Sequence, residues 1–142
     1  MIHFIPSLPS TTAALDAERT RLEVIAQNIA NANTTRGPDG KPYQRQQVVF
    51  ESVLRAQQSG ASANGAQKVQ VARIQKDTRP PRMIYNPGHP DADSHGMVAT
   101  PDINIHQEMV DMISSSRSYD ANVAVVKNAR AIAMQALSIG KH

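Results

Sequence analysis

Apolar residues recur at intervals of three and four along the C-terminal part of the chain, from Asn104 to Ile139. This stretch contains no Gly and no Pro, and the recurring positions form one predicted seam: Ile105, Met109, Met112, Ser116, Tyr119, Val123, Val126, Arg130, Ala133 and Leu137. The spacing is close to a heptad repeat and predicts a coiled-coil-like helix. Such a helix is about 50 Å long, too long to fold back into a compact domain of this size. It therefore needs another helix beside it.

A second amphipathic helix is predicted near the N terminus, from about Thr11 to about Ala32, with Ser10 as its N-cap. Its predicted seam has one polar position, Glu18, among apolar ones: Leu15, Leu22, Ile25, Ile29 and Ala32. A single amphipathic helix most often packs on its own domain. Two of them at the two ends of one chain, separated by helix-poor sequence, favour a pair.

The boundaries of both helices carry recognisable signals. The first ends in an Asn-rich run, residues 28–34, whose side chains compete with the helical backbone for hydrogen bonds. We expect Asn28, Asn31 and Asn33 to fix the exit by side-chain to backbone bonds. The second helix is predicted to start at Asn104 in a capping box with Gln107, and to end before Gly140 and Lys141.

The middle of the chain has the character of strands and turns. Strands are predicted over Tyr43–Phe50, Lys68–Ile74, Arg82–Tyr85 and Met97–Ala99, with a loop over Gln57–Gln67. We therefore predict a mainly α fold with a small β-rich insert. Residues 1–35 and 101–142 form a terminal helical domain, and residues 36–100 form a β-rich or extended middle domain. The paired helices make a coiled-coil-like, elongated bundle that assembles into a helical tube.

Composition narrows the possible functions. The chain has 15 Lys and Arg and 12 Asp and Glu, which gives a net charge of +3. It lacks the dense basic patch that is typical of nucleic-acid binding. Cysteine is absent, which excludes disulfides and thiol chemistry. The sequence has no run of about 20 apolar residues that would span a bilayer, and its start lacks the features of a secretory signal. Taken alone, this favours a cytoplasmic protein, unless the chain leaves the cell by a route without a cleaved signal.

One acidic loop partly follows a calcium-binding pattern. Asp91, Asp93, Gly96 and Asp102 fall at its first, third, sixth and twelfth places, but His95 and Asp102 stand where the pattern needs a hard oxygen ligand and a Glu. We expect a turn in which Asp side chains cap backbone amides. No metal site or cofactor is predicted.

Two further patterns also fail as sites of chemistry. Gly60 and Gly65 lack the Lys and Ser/Thr of a phosphate loop, and Ser114–Ser116 has no nearby His. The serines are better explained as small residues that let another helix approach. We expect neither an enzyme nor a small-molecule substrate.

Three segments resemble one protein family. The run Asn28–Thr34 is similar to the N-terminal signature of bacterial flagellar rod, hook and related axial proteins. The segments Met83–Asp93 and Glu108–Asn122 resemble the proximal-rod members of that family. The matching motif residues are Asn28, Asn31, Asn33, Thr34, Asn86, Pro87, Gly88, His89, Pro90 and Asp91. Residues Ile2–Ser10 do not match, and a Gly that relatives often have before Leu15 is missing.

The resemblance implies a structural subunit of the proximal rod in the periplasm, exported through the flagellar type III apparatus without a cleaved signal. Its partners are then other copies, other rod proteins and that apparatus, with no nucleic acid and no membrane insertion. We expect an assembly interface formed by Leu15, Leu22, Ile25, Ile29, Met109, Met112, Tyr119, Val123 and Leu137. The alternative is a soluble helical adaptor or regulator that binds a partner helix.

Overall fold

The computed structural model describes residues 8–54 and 67–139, and it places a helix at each end of this range. The elements are α1 (Leu8–Ala30), β1 (Gln46–Leu54), β2 (Gln67–Lys76), β3 (Arg82–Tyr85), β4 (Met97–Thr100) and α2 (Ile105–Ile139). The chain is therefore mainly helical with a small antiparallel β insert, as predicted. Residues 1–7, 55–66 and 140–142 lie outside the described ranges, so most of the predicted Gln57–Gln67 loop and the predicted C-terminal cap at Gly140 and Lys141 lie there too.

The start of α1 differs from the prediction. The helix begins at Leu8, so Ser10 lies inside it and the predicted N-cap at Ser10 is wrong. Pro9 does not prevent this, because a proline in the first turn loses only a backbone N–H that has no helical acceptor. The helix ends at Ala30, where Asn31 Nδ2 donates to the Gln27 carbonyl at 2.9 Å.

The start of α2 was predicted correctly. Asn104 Oδ1 accepts from the backbone N–H groups of His106 at 3.1 Å and Gln107 at 3.3 Å, which makes Asn104 the N-cap. The Gln107 side chain donates down the helix to Asp111 Oδ1 at 3.5 Å, in place of the return bond of a capping box. None of the described helices is long and apolar enough to span a membrane.

Strands β1 and β2 form an antiparallel hairpin that packs on α1. Val49 pairs with Arg73 and Phe50 with Val71, so Ala72 is the extra residue of a bulge. β1 begins at Gln46, three residues later than predicted, because Tyr43 turns away to donate its N–H to the Thr34 carbonyl at 3.1 Å. A bulge of this kind bends its strand and increases the local twist.

Strands β3 and β4 form a second antiparallel pair, with Arg82 opposite Thr100 and Tyr85 opposite Met97. The loop between them folds as the expected turn: Asp93 Oδ1 accepts from the N–H groups of His95 at 2.8 Å and Met97 at 2.9 Å. These backbone donors lower the pKa of Asp93. Within residues 8–54 and 67–139, three or more His, Asp or Glu side chains do not converge as metal ligands would.

The hydrophobic core is small and centred on α1, which lies between α2 and the hairpin. Ala13, Ala17, Val24 and Asn28 are buried at spacings of four, seven and four, which places them on one face of the helix. Small alanines let the hairpin approach closely. Val98 and Ile103 form a second buried group where β4 leads into α2.

Candidate assembly surface

The contact between α1 and α2 is partly polar. Ser115 of α2 is fully buried and its hydroxyl donates to the Glu18 carboxylate of α1. Glu18 is the polar position in the predicted seam of α1, and this bond explains its presence there. Ten residues further along α1, Asn28 meets Glu108 of α2, so the two helices run antiparallel.

Asn28 binds the backbone of β1 with its whole side-chain amide. Its Oδ1 accepts from the Gln46 N–H at 2.9 Å, and its Nδ2 donates to the Gln46 carbonyl at 2.8 Å. The same Oδ1 accepts from the Tyr43 hydroxyl at 3.1 Å, and the same Nδ2 donates to Glu108 Oε2 at 3.0 Å. All the hydrogen-bonding capacity of this buried amide is thereby used.

Glu108 is a buried carboxylate, with 1% of the residue exposed. Arg45, just before β1, donates from Nε to Glu108 Oε1 at 2.6 Å. Burial raises the pKa of the nearby Tyr43 hydroxyl, and the negative charge of Glu108 adds to the effect. Glu108 and Tyr43 therefore belong to one buried polar group that joins α1, the start of β1 and α2.

A stripe of buried and half-buried residues runs along α2, and its N-terminal part, which contains Glu108 and Ser115, faces α1. This stripe is displaced from the predicted seam. The observed seam consists of Glu108, Met112, Ser115, Tyr119, Asn122, Val126, Ala129 and Ala133, all buried or half-buried. Its spacing alternates four and three, as in a heptad repeat. Four of the ten predicted positions belong to it: Met112, Tyr119, Val126 and Ala133. The observed seam has Glu108, Ser115, Asn122 and Ala129 where the prediction has the residue after each of them, and the predicted Ile105 and Leu137 lie outside it.

The expected interface residues differ in how far the subunit itself covers them. Ile25 is 6% exposed and already buried inside the subunit. Met109 and Leu137 are 47% and 57% exposed. The other six are half-buried: Leu15, Leu22, Ile29, Met112, Tyr119 and Val123. Eight of the nine thus keep apolar surface that a neighbour could contact.

The C-terminal part of α2 extends beyond α1. Glu18 faces Ser115, so Leu8 at the start of α1 lies opposite about residue 125 of an antiparallel α2. The last 14 or so residues of α2, about 20 Å of helix, continue past that point. Val125, Ile132 and Ile139 are seven residues apart and share one exposed face, which we call the outer stripe. Leu137 and Met134 are exposed on another side.

The family-motif residues fall into two segments that meet. Asn28 and Asn31 anchor the end of α1 as predicted, and Thr34 Oγ1 donates to Asn31 Oδ1 at 3.2 Å. Asn33 is exposed and makes no side-chain hydrogen bond within the described residues, so the prediction that it fixes the helix exit is wrong. Asn86–Asp91 lie in the β3–β4 loop, where the Asp91 N–H donates to His89 Nδ1 at 3.1 Å. Asp91 Oδ2 accepts from Thr35 Oγ1 at 2.7 Å and thereby joins this loop to the exit of α1.

Sequence reasoning missed Tyr43, Arg45 and Glu108 as structural residues. Glu18 of α1 and Glu108 of α2 nevertheless gave a usable signal. A carboxylate on a helix face that becomes buried needs a hydrogen-bond or ionic partner, so each of them indicates that such a partner lies elsewhere in the chain. Arg45 and Tyr43 gave no comparable signal, since both precede a strand in an ordinary polar segment.

The chain is similar in sequence to known proteins. Residues 10–38 match the family model described as "Flagella basal body rod protein", and residues 94–139 match "Flagellar basal body rod FlgEFG protein C-terminal". Flagellar basal-body rod protein FlgC of Yersinia enterocolitica is 43% identical over 129 residues, 91% of this chain and 92% of the relative. The FlgC proteins of Borreliella burgdorferi and Bacillus subtilis are 41% and 38% identical, covering 94% and 95% of this chain and 95% and 97% of the relatives.

Proposed function

The chain belongs to the FlgC family of flagellar basal-body rod proteins and is a structural subunit of that rod, and we propose that it polymerises through α1 and α2 into a helical tube that transmits torque. Its family is not enzymatic, and its assembly partners are other flagellar rod proteins. Membership of this family decides against the alternative of a soluble helical adaptor.

The observation that supports polymerisation through the helices is the uncovered C-terminal part of α2. Ile132 is 65% exposed and Ile139 is 76% exposed, on a helix with apolar residues on more than one side. A helix of that kind is stable when it is buried against other helices. Each Ile, Leu or Val that becomes fully buried contributes about 1.5–3 kcal/mol, so a few such residues per subunit give a firm contact.

The antiparallel pair also suggests how the contacts propagate. The pair leaves one end of α2 without α1 beside it, so the surface offered at that end differs from the surface offered at the other. Two different surfaces in contact make a heterologous interface, and heterologous contacts that do not close form a helix. We propose that the observed seam of α2 continues as a coiled-coil-like contact with a neighbouring subunit, while the outer stripe contacts another.

We assign the neighbour contacts to the expected residues that keep exposed surface, namely Leu15, Leu22, Ile29, Met109, Met112, Tyr119, Val123 and Leu137. Ile25 contributes indirectly, because it holds α1 in place inside the subunit. Residues 1–35 and 101–142 then form the rod-core domain, with the helices of successive subunits side by side.

The middle domain, residues 36–100, is proposed to lie outside the tube and make lateral contacts. Met83 and Tyr85 support this placement, because they share one face of β3 and are 52% and 70% exposed. The Pro80–Pro90 segment around them would lie across the adjoining subunit.

The rod belongs to the basal body, and we propose that this subunit stands in its periplasmic part after export through the flagellar type III apparatus without a cleaved signal. The family relationship supports this route. The mass of the subunit purified from basal bodies tests it: the mass of the uncleaved chain is expected, and a shorter N terminus would contradict the proposal.

Single charges placed in the helices test the assembly proposal. Leu22→Asp, Val123→Asp and Ile132→Asp should each leave the protein exported and abolish its incorporation into basal bodies, with loss of motility. Asn128→Asp is the matched control, because Asn128 is an exposed polar residue of α2 and should tolerate a carboxylate. Ile132→Asp is the most informative of the three, since Ile132 contributes little to the folded subunit. Normal motility in all three variants would refute the helix-packing account.

A further inference from the structure

Glu108 is a buried ionisable residue whose partners come from two other parts of the chain. Asn28 of α1 lies 3.0 Å from one carboxylate oxygen, and Arg45, which belongs to the insert, lies 2.6 Å from the other. We call Asn28, Arg45 and Glu108 the junction. We propose that the junction makes the pairing of α1 with α2 conditional on the insert being folded against α1. This inference concerns the folding of one chain and goes beyond the proposed assembly.

The three segments that meet at the junction supply different charges. α2 brings the negative charge of Glu108 to the interface, and α1 supplies a neutral amide from Asn28. The compensating positive charge comes from Arg45. Arg21 of α1 lines the same groove, but the ion pair that Glu108 forms is with Arg45. A buried carboxylate is strongly destabilising when its ionic partner is removed. Pairing of the helices before the insert docks would bury Glu108 in that uncompensated state.

The orientation of Asn28 adds a second dependence on the insert. The same Nδ2 that donates to Glu108 also donates to the Gln46 carbonyl at 2.8 Å, and Oδ1 accepts from the Gln46 N–H at 2.9 Å. The backbone of Gln46 thus fixes which end of the amide points toward α2. Without that backbone the amide is not held with its donor toward the carboxylate.

The order of the segments along the chain gives this dependence a consequence. α2 is the last element in the sequence, and its partner Arg45 lies between the two helices. An unfolded insert therefore leaves α2 unpaired until β1 has docked on α1. The junction acts as a positioning device that keeps the two rod-core helices from pairing in the wrong order.

A thiol crosslink can report helix pairing, because the chain contains no cysteine of its own. Glu18→Cys and Ser115→Cys are placed at the α1–α2 contact, and the rate at which the two thiols form a disulfide crosslink under mild oxidation is measured in the full chain. Val71→Gly then opens the hairpin, since Val71 is half-buried opposite Phe50 in β2. Trypsin cleavage after Arg73 verifies that the hairpin has opened.

The proposal predicts a difference between two backgrounds. With the natural junction, Val71→Gly should slow crosslinking about tenfold, because Glu108 loses its ionic partner. In the background Arg45→Met with Glu108→Leu, which replaces the pair by apolar side chains, Val71→Gly should change the rate less than about threefold. The exposed pair Arg19→Met with Glu23→Leu is the matched control and should retain the tenfold effect.

Three results would overturn the proposal. One is an equal effect of Val71→Gly in both backgrounds, which would assign the coupling to general packing. Another is no effect of Val71→Gly with the natural junction, which would mean that the helices pair without the insert. The third is an absence of crosslinking in the parent cysteine pair, which would mean that α1 and α2 are not paired in the single chain.

Discussion

Asn28 and Gln46 are joined by two hydrogen bonds: the side-chain amide of Asn28 accepts from the Gln46 N–H at 2.9 Å and donates to the Gln46 carbonyl at 2.8 Å. The side chain of a helical residue thus makes the two hydrogen bonds that the backbone of a neighbouring strand makes in an antiparallel sheet. Because the same amide also contacts Tyr43 and Glu108, the end of α1, the start of β1 and α2 are fixed at one point. The stability of the subunit should therefore be concentrated there.

Asn28→Asp tests whether the stability of the subunit depends on this point of contact. The change removes the donor to the Gln46 carbonyl and places a second carboxylate against Glu108. We expect the free energy of unfolding at pH 7 to fall by about 2 kcal/mol or more, measured by urea denaturation. Asn128→Asp, on the exposed side of α2, should change it by less than about 0.5 kcal/mol. Equal effects of the two substitutions would contradict the central role of Asn28.

Ser115→Leu tests the close approach of the helices. Ser115 is fully buried at the α1–α2 contact, so a larger side chain must push the helices apart, and a loss of about 1–3 kcal/mol is expected. Ser116→Leu places the same side chain at the next, exposed position and should be nearly neutral for the single subunit. Thermal unfolding of both variants gives the comparison, and a larger loss at position 116 would support the predicted seam over the observed one.

Alanine substitutions at two glycines distinguish the cost of backbone strain from the cost of a steric clash. Gly40 and Gly96 both have positive φ, +71° and +73°, so alanine at either position costs about 1 kcal/mol. A Cβ at Gly96 would in addition lie 3.0 Å from the Tyr85 ring and 3.1 Å from Pro87 Cβ, whereas a Cβ at Gly40 meets nothing within 4 Å. Gly96→Ala should therefore destabilise the subunit by at least about 1 kcal/mol more than Gly40→Ala in urea denaturation. Equal losses would mean that the β3–β4 loop relaxes freely.

Tyr43 should make the subunit sensitive to alkaline pH. Burial and the charge of Glu108 raise the pKa of its hydroxyl above 10 in the folded state. The unfolded chain then releases this proton first, so stability falls as the pH rises through 10 and the folded pKa. Tyr43→Phe should be about 1 kcal/mol less stable at pH 7, through the lost bond to Asn28, and the difference should shrink toward pH 11. Urea denaturation across this range checks it, and a constant difference would place the hydroxyl in an ordinary environment.

The sequence predicts where the helices and strands lie, but it does not predict which face of each helix is buried. Clear alternation and Pro or Gly boundaries located β2, β3 and β4 to within about two residues. For α2, apolar spacing gave Met112, Tyr119, Val126 and Ala133 correctly and missed Glu108, Ser115, Asn122 and Ala129. These four residues are polar or small, so a pattern of apolar repeats does not identify them. Beside Glu108 and Asn122 it selects the apolar neighbours Met109 and Val123 instead.

The site was harder to predict because its residues are distant in the chain. Glu108 meets Arg45 across 63 positions and Asn28 across 80, so no local pattern announces them. For α1, Ala13 and Ala17 form the contact with the hairpin, and alanine is too neutral a residue to show which face of a helix is covered. The Asn-rich run predicts the end of α1, but the bonds of Asn28 to the start of β1 depend on a fold that the run itself does not specify.

Burial of Ile132 on assembly tests the account most directly. Ile132→Cys gives the chain its single thiol, on the outer stripe of α2, and Gln75→Cys on the exposed β2 serves as the control. Maleimide labelling is compared between the isolated subunit and purified basal bodies. We predict that both positions label in the isolated subunit, and that position 132 becomes protected at least about tenfold in basal bodies while position 75 does not. Equal labelling of position 132 in both states would contradict a rod built through the C-terminal helix.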